Sequence, residues 1–163
     1  MDDKITLVKD WLRFASDDIN CAKHSLSMHP VPIEIVCYHC EQAAEKALKG
    51  YLIYQNVEPP RTHILKLLCK MCADIDETFE EISEQCGNLT PYAVQARYPH
   101  EIHITESDMK KAILNADRVL EFIYQKLEHI EKIAPDIEGR GQLREEQKDQ
   151  EDQEENIQGQ QLT

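Results

Sequence analysis

The stretch CYHCEQAAEKALKGYLI, residues 37–53, decides the architecture of this chain. It lies inside a segment, Ile33 to about Tyr54, in which Val36, Cys40, Ala43, Ala47 and Tyr51 recur at spacings of three and four, widened by Ala44, Leu48 and Leu52. That period is helical, and the apolar face is broad and built from small residues. Small side chains let neighbouring helices approach closely, so the spacing predicts a central helix in a bundle. The polar residues of the same stretch, His39, Glu41, Gln42, Glu45, Lys46 and Lys49, read as a largely solvated face. Glu45 and Lys49 on it form an ordinary i,i+4 pair.

Working outward, residues 4–27 place Leu12, Ala15, Ile19, Ala22 and Leu26 on one stripe and predict a long amphipathic helix. Met28-His29-Pro30-Val31-Pro32 stops it, because proline lacks a donor and restricts the residue before it. After the loop Gln55–Arg61, Thr62 is the expected N-cap of a third helix with Ile64, Leu67, Leu68, Met71, Cys72 and Ile75 as its apolar positions. A shorter segment follows around Glu77–Cys86. Leu89–Ile104 contains Pro91 and Pro99 and reads as a loop or broken helix. The sequence TESD from Thr105 is a capping-box start. Ile113, Ala116, Leu120, Ile123, Leu127 and Ile130 then carry a last long helix toward Pro135. The expected fold class is all-α, an up-and-down antiparallel bundle of four to five helices over residues 1–134.

Residues 135–163 hold nine acids, three bases and seven Gln, with few large apolar side chains. Such a segment buries too little surface to offset chain entropy and is expected to be a disordered acidic tail. The whole chain of 163 residues has net charge −13, which argues against coating nucleic acid or an anionic membrane through its overall field. The N-terminus alternates charged and apolar residues, unlike a signal peptide, and no run approaches the roughly 20 apolar residues of a spanning helix. A cytoplasmic protein with reduced thiols is therefore expected. Cys37/Cys40 and Cys69/Cys72 form two C-x2-C pairs that could supply zinc with four thiolates. Their helical context and core-stripe positions favour buried thiols instead. No phosphate loop, dinucleotide fingerprint or nucleophile elbow is present, and no metal or cofactor is expected.

The segment Tyr38-His39-Cys40-Glu41-Gln42-Ala43-Ala44-Glu45-Lys46-Ala47-Leu48-Lys49 closely resembles the signature helix of HEPN-domain proteins (higher eukaryotes and prokaryotes nucleotide-binding). Three further blocks agree in order. Trp11 with Ala15-Ser16-Asp17-Asp18 is similar to the family's first helix, Arg61-Thr62-His63-Ile64-Leu65 to its Thr-His start of the third, and Tyr92 through Arg97-Tyr98-Pro99 to its Tyr…Ala-Arg-Tyr-Pro stretch. The resemblance covers about residues 5–132. It implies a helical bundle, usually a homodimer, often encoded beside a minimal nucleotidyltransferase. Some members are metal-independent endoribonucleases of toxin–antitoxin systems, marked by Arg, four to six residues, then His. Others bind nucleotides or partners.

Arg97 and His103 have five residues between them and fit that spacing. A neutral histidine can take the 2′-hydroxyl proton of RNA while the guanidinium stabilises charge at the phosphate, leaving a 2′,3′-cyclic phosphate and a 5′-hydroxyl. Pro99 inside the motif disfavours a regular helix there. The other reading of Arg97 is a structural arginine that pairs with an acid and holds the loop against the bundle, and His100 is the weaker substitute base. Arg61 and His63 at the start of the third helix invite phosphate, against a plain capping role for the same turn. Lys46, Lys49, Tyr98 and His100 complete the candidate nucleotide- or RNA-binding set. The leading reading is a dimeric binding module, partnered by a minimal nucleotidyltransferase; the alternative is an endoribonuclease using Arg97 and His103. Trp11, Phe14, Phe122 and Tyr124 supply extra aromatic surface on the first and last helices, some of it expected to be exposed at a dimer interface.

Overall fold

The computed structural model describes residues 2–95 and 103–128. Six α-helices are formed among them: α1 (Asp2–His24), α2 (Ile33–Tyr54), α3 (Leu65–Ala73), α4 (Ser83–Leu89), the single turn α5 (Tyr92–Gln95) and α6 (Glu106–Leu127). Short 3-10 turns at Ser25–Ser27 and Glu77–Ile82 follow α1 and precede α4. The fold is an all-helical bundle, as the apolar periodicity requires.

Helix α2 occupies the centre. Every residue of its predicted stripe, from Val36 to Leu52, is buried. Its contacts with α1 fix the direction of the hairpin. Lys4 reaches the Tyr54 carbonyl at 3.0 Å, Trp11 packs beside Gly50, and Asp18 meets His39. Low numbers on α1 thus face high numbers on α2, so the two helices are antiparallel. α6 is antiparallel to α1 as well, since Lys23 bonds Asp117 at 2.8 Å and Tyr124 donates to the Leu12 carbonyl at 3.4 Å.

The end of α2 is closed by a double device. Asn56 takes a left-handed conformation, φ 61°, which its short polar side chain tolerates better than a branched one. The Asn56 N–H then donates to the Ile53 carbonyl and the Val57 N–H to the Leu52 carbonyl, the Schellman pattern that satisfies terminal carbonyls. Lys4 adds a cation at this negative helix end and also bonds Asn56 Oδ1 at 3.1 Å. At the other long helix, Thr105 and Asp108 form the expected capping box of α6.

Several expectations are corrected. Thr62 does not cap α3: the helix begins at Leu65, with Ile64 at the N-cap and no side-chain cap, while Thr62 Oγ1 accepts from the Ile64 N–H at 3.2 Å. The inward face of α3 is Leu65, Leu68, Cys69 and Cys72, so Ile64, Leu67 and Ile75 are exposed. The helix is turned about its axis relative to the expected stripe, because the Leu65 and Cys69 side chains fill the space against the core. The first helix yields to a 3-10 turn at Ser25, which leaves Leu26 exposed. Phe122 is buried, edge-on to Phe79 at 5.0 Å, rather than displayed. The Ile130 position, Pro99 and the acidic tail lie outside the described residues. Among the described residues no helix is long and apolar enough to cross a membrane.

Candidate functional site

Beside its apolar stripe, α2 carries the polar residues His39, Glu41, Gln42, Glu45, Lys46 and Lys49. This face is not solvated as its composition suggested: Glu41, Glu45 and Lys49 are all buried. Burial of charge is costly unless each charge is paired, and two carboxylates organise the pairing.

Glu45 is the first. Its side chain is 7% exposed, and its Oε1 accepts from Lys49 Nζ at 2.7 Å while its Oε2 lies 2.8 Å from His63 Nδ1. A carboxylate can only accept, so Nδ1 must carry the proton of this bond. The ring orientation and the tautomer are thereby set, and Nε2 is left as the other polar atom of a histidine that is 55% exposed. His63 belongs to the lead-in of α3, beside exposed Arg61.

Asp18 of α1 is the second. It accepts from Lys46 of α2 and lies 2.9 Å from His39 Nδ1, again one carboxylate between a lysine and a histidine. Glu41, fully buried, accepts from Gln42 Nε2 at 2.9 Å. His39 is thus a hydrogen-bonded, partly buried residue. Of the candidate binding residues, Lys49 and His63 share the Glu45 carboxylate, while Lys46 pairs with Asp18. The pairing of Asp18 was not legible in the sequence, where Asp18 stands only in the block similar to the family's first helix, because it depends on the register between α1 and α2.

His103 is exposed, directly before buried Ile104 and the cap of α6. Asp108 nearby is held below the usual carboxylate range, first by bonds from the Thr105 side chain and backbone, with Lys111 and then His103 adding weaker positive fields. Arg97, Tyr98 and His100 lie outside the described residues.

The paired cysteines sit in the core. Cys37, Cys40, Cys69, Cys72 and Cys86 are buried and unbridged, and Cys21 is exposed. Burial pushes the Cys37 thiol up to about 12, with added repulsion from Asp108 and Glu34, and raises Cys40 and Cys72 as well. Among the described residues no group of three or more His, Cys, Asp or Glu is placed to hold a metal ion.

A model of the HEPN domain matches residues 8–129, which runs from within α1 to just past α6 and includes every residue of both carboxylate clusters. The chain belongs to the HEPN family. Two solved structures share the fold. TT1696 from Thermus thermophilus is 28% identical, with a TM-score of 0.63 over 74% of this HEPN chain and 98% of its own. The archaeal HEPN homologue ST0689 is 27% identical, with a TM-score of 0.60 over 74% of this chain and 97% of its own. Among curated proteins no match was found.

Proposed function

We propose that this HEPN module is a homodimeric binding protein that recognises a phosphate-bearing ligand, a nucleotide or RNA, at the lead-in of α3, and that it serves a separately encoded minimal nucleotidyltransferase as partner. The observation that carries the ligand reading is the Glu45–His63 pair. A buried carboxylate holds an exposed imidazole by one nitrogen, and Lys49 balances the carboxylate at its other oxygen. With its second proton, His63 offers an N–H donor to a phosphate oxygen beside the permanent charge of Arg61. The cluster gains one positive charge in that state, which suits an anion despite the acidic composition of the whole chain.

Fluorescence titration with labelled ATP and with a short single-stranded RNA tests this reading. His63→Ala and Arg61→Ala are each expected to weaken binding by about tenfold, the worth of one charge-assisted hydrogen bond, without loss of helix content. Absence of binding to both probes, or identical affinities in all three proteins, would overturn it. Co-expression with a minimal nucleotidyltransferase of the same organism tests the partner arm.

The second reading is a metal-independent endoribonuclease, favoured by the exposure of His103 just before α6. Its test is cleavage of RNA in EDTA, with Arg97→Ala and His103→Ala both inactive and products ending in cyclic phosphate. Equal cleavage by the variants would assign the activity elsewhere.

A further inference from the structure

The run from Arg61 to Ala73, the lead-in and the whole of α3, holds Arg61, His63, Lys66 and Lys70 and no acid, in a chain of net charge −13. Each of the other helices longer than one turn carries at least one acid. Lys46 and Lys49 of α2 are held by Asp18 and Glu45, and Lys110, Arg118 and Lys126 of α6 by Glu106, Glu81 and Asp76. Among the described residues no ion pair engages Arg61, Lys66 or Lys70, and all three are exposed. An acidic molecule thus leaves one stretch of uncompensated positive charge, and it begins at the Glu45–His63 pair.

The cations form a series. Arg61 and His63 precede α3, and Lys66 and Lys70 follow one turn apart, within about 40° of each other around a helix about 13 Å long. The phosphates of a free nucleotide are joined directly to one another and occupy one end of such a series. A strand whose phosphates recur along its length can meet each cation in turn. Leu67 beside the lysines is 43% exposed and Ile64 beside His63 is 52% exposed. Apolar side chains among cations suit a polyanion that brings flat bases with its charges, which an acidic peptide does not. Unstacked bases are offered by a single strand and hidden in a duplex. The run contains no aromatic side chain on which bases stack, so the electrostatic part dominates and little sequence preference is expected.

We propose that the exposed side of α3 is a track for single-stranded RNA, with Lys66 and Lys70 meeting the phosphates next to the one held at Arg61 and His63. This rests on the phosphate site of the preceding subsection and names its ligand as an extended strand rather than a free nucleotide.

The test is fluorescence anisotropy with labelled ATP and a labelled 2′-O-methyl decauridine, which has no 2′-hydroxyl to support cleavage. Both are titrated with the wild-type chain, His63→Ala and the exposed double variant Lys66→Gln/Lys70→Gln, each checked for folding by far-UV circular dichroism. The double variant is expected to bind the strand at least about tenfold more weakly and ATP unchanged. The slope of log affinity against log salt is expected to fall by about 1.4 for the strand, two single-strand phosphate contacts at about 0.7 each. A strand bound no tighter than ATP, or a double variant with unaltered strand affinity and salt slope, would overturn the track; ATP binding that His63→Ala weakens would still uphold the phosphate site. Binding of neither probe would sink both readings. A decaglutamate peptide that binds as tightly as the strand, and is lost in the same double variant, would overturn the RNA assignment in favour of an acidic protein partner.

Discussion

Glu45 Oε2 lies 2.8 Å from His63 Nδ1, while the other oxygen of the same carboxylate accepts from Lys49 Nζ at 2.7 Å. One buried acid on α2 therefore fixes the entry to α3 and neutralises a lysine within its own helix. Removing it strands Lys49 without its counter-charge. Glu45→Ala is expected to lower the unfolding free energy by about 3 kcal/mol, the usual loss when half of a buried ion pair is deleted. Glu45→Gln keeps the shape and an acceptor and should cost about half as much. Urea denaturation followed by circular dichroism measures both, and equal stabilities for the two variants would contradict the electrostatic account.

Thr105 and Asp108 bond each other's backbone N–H groups at the start of α6, at 3.2 and 2.9 Å. Thr105→Ala leaves the first-turn N–H groups without that acceptor and is expected to cost about 1 kcal/mol. Thr105→Ser, which retains the hydroxyl, should recover most of it in the same thermal melt.

Lys126 donates to Asp76 Oδ2 at 2.8 Å, and Thr78 bonds Oδ1 through both its hydroxyl and its N–H. These bonds hold the Asp76 carboxyl below its ordinary 3.8, the Lys126 bond contributing most. The unfolded chain thus takes up this proton more readily than the native one. The contribution to stability is complete above the ordinary value and is lost as pH falls through the lower native one. Asp76→Asn is expected to flatten the fall of stability below about pH 4, since its amide has no proton to take up. A steeper acid fall in the variant would refute this assignment.

At Gly50, α2 packs closely against α1. A Cβ there would stand 3.3 Å from Trp11 Cβ and 3.5 Å from Leu12 Cδ2. The Trp11 atom is anchored at the α1 backbone and has little room to yield. Gly50→Val forces the helices apart and is expected to cost about 2 kcal/mol, as overpacking commonly does. Gly50→Ala sets a smaller clash against a gain of helix propensity of about 1 kcal/mol and is expected to fall near neutral.

These sites also mark what could be read before the fold was known. Helix α2 was legible because its apolar period runs through 22 residues, long enough to fix both the helix and its inward direction. Helix α3 has only nine, with Leu65, Leu67, Leu68 and Met71 spread around it, and such a pattern cannot choose between two rotations about the axis. Packing against α2 made the choice. The buried acids were illegible for another reason. Glu41 and Glu45 look like surface residues in any local window. Their burial is decided by what packs around α2, including the lead-in residue His63 that seals Glu45 from 18 positions away. The Thr105 cap, by contrast, needs only four consecutive residues and was read directly. Of the Arg97–His103 motif, only His103 falls among the described residues.

The division of the six thiols, one outside and five inside, gives the molecule a built-in clock. Alkylation requires both access and thiolate, and burial withholds the first while pushing Cys37, Cys40, Cys72 and Cys86 away from the second. Cys21 is modified at the pace of the reagent. The other five wait for openings of the bundle, so their labelling advances at the frequency with which the native state lets go.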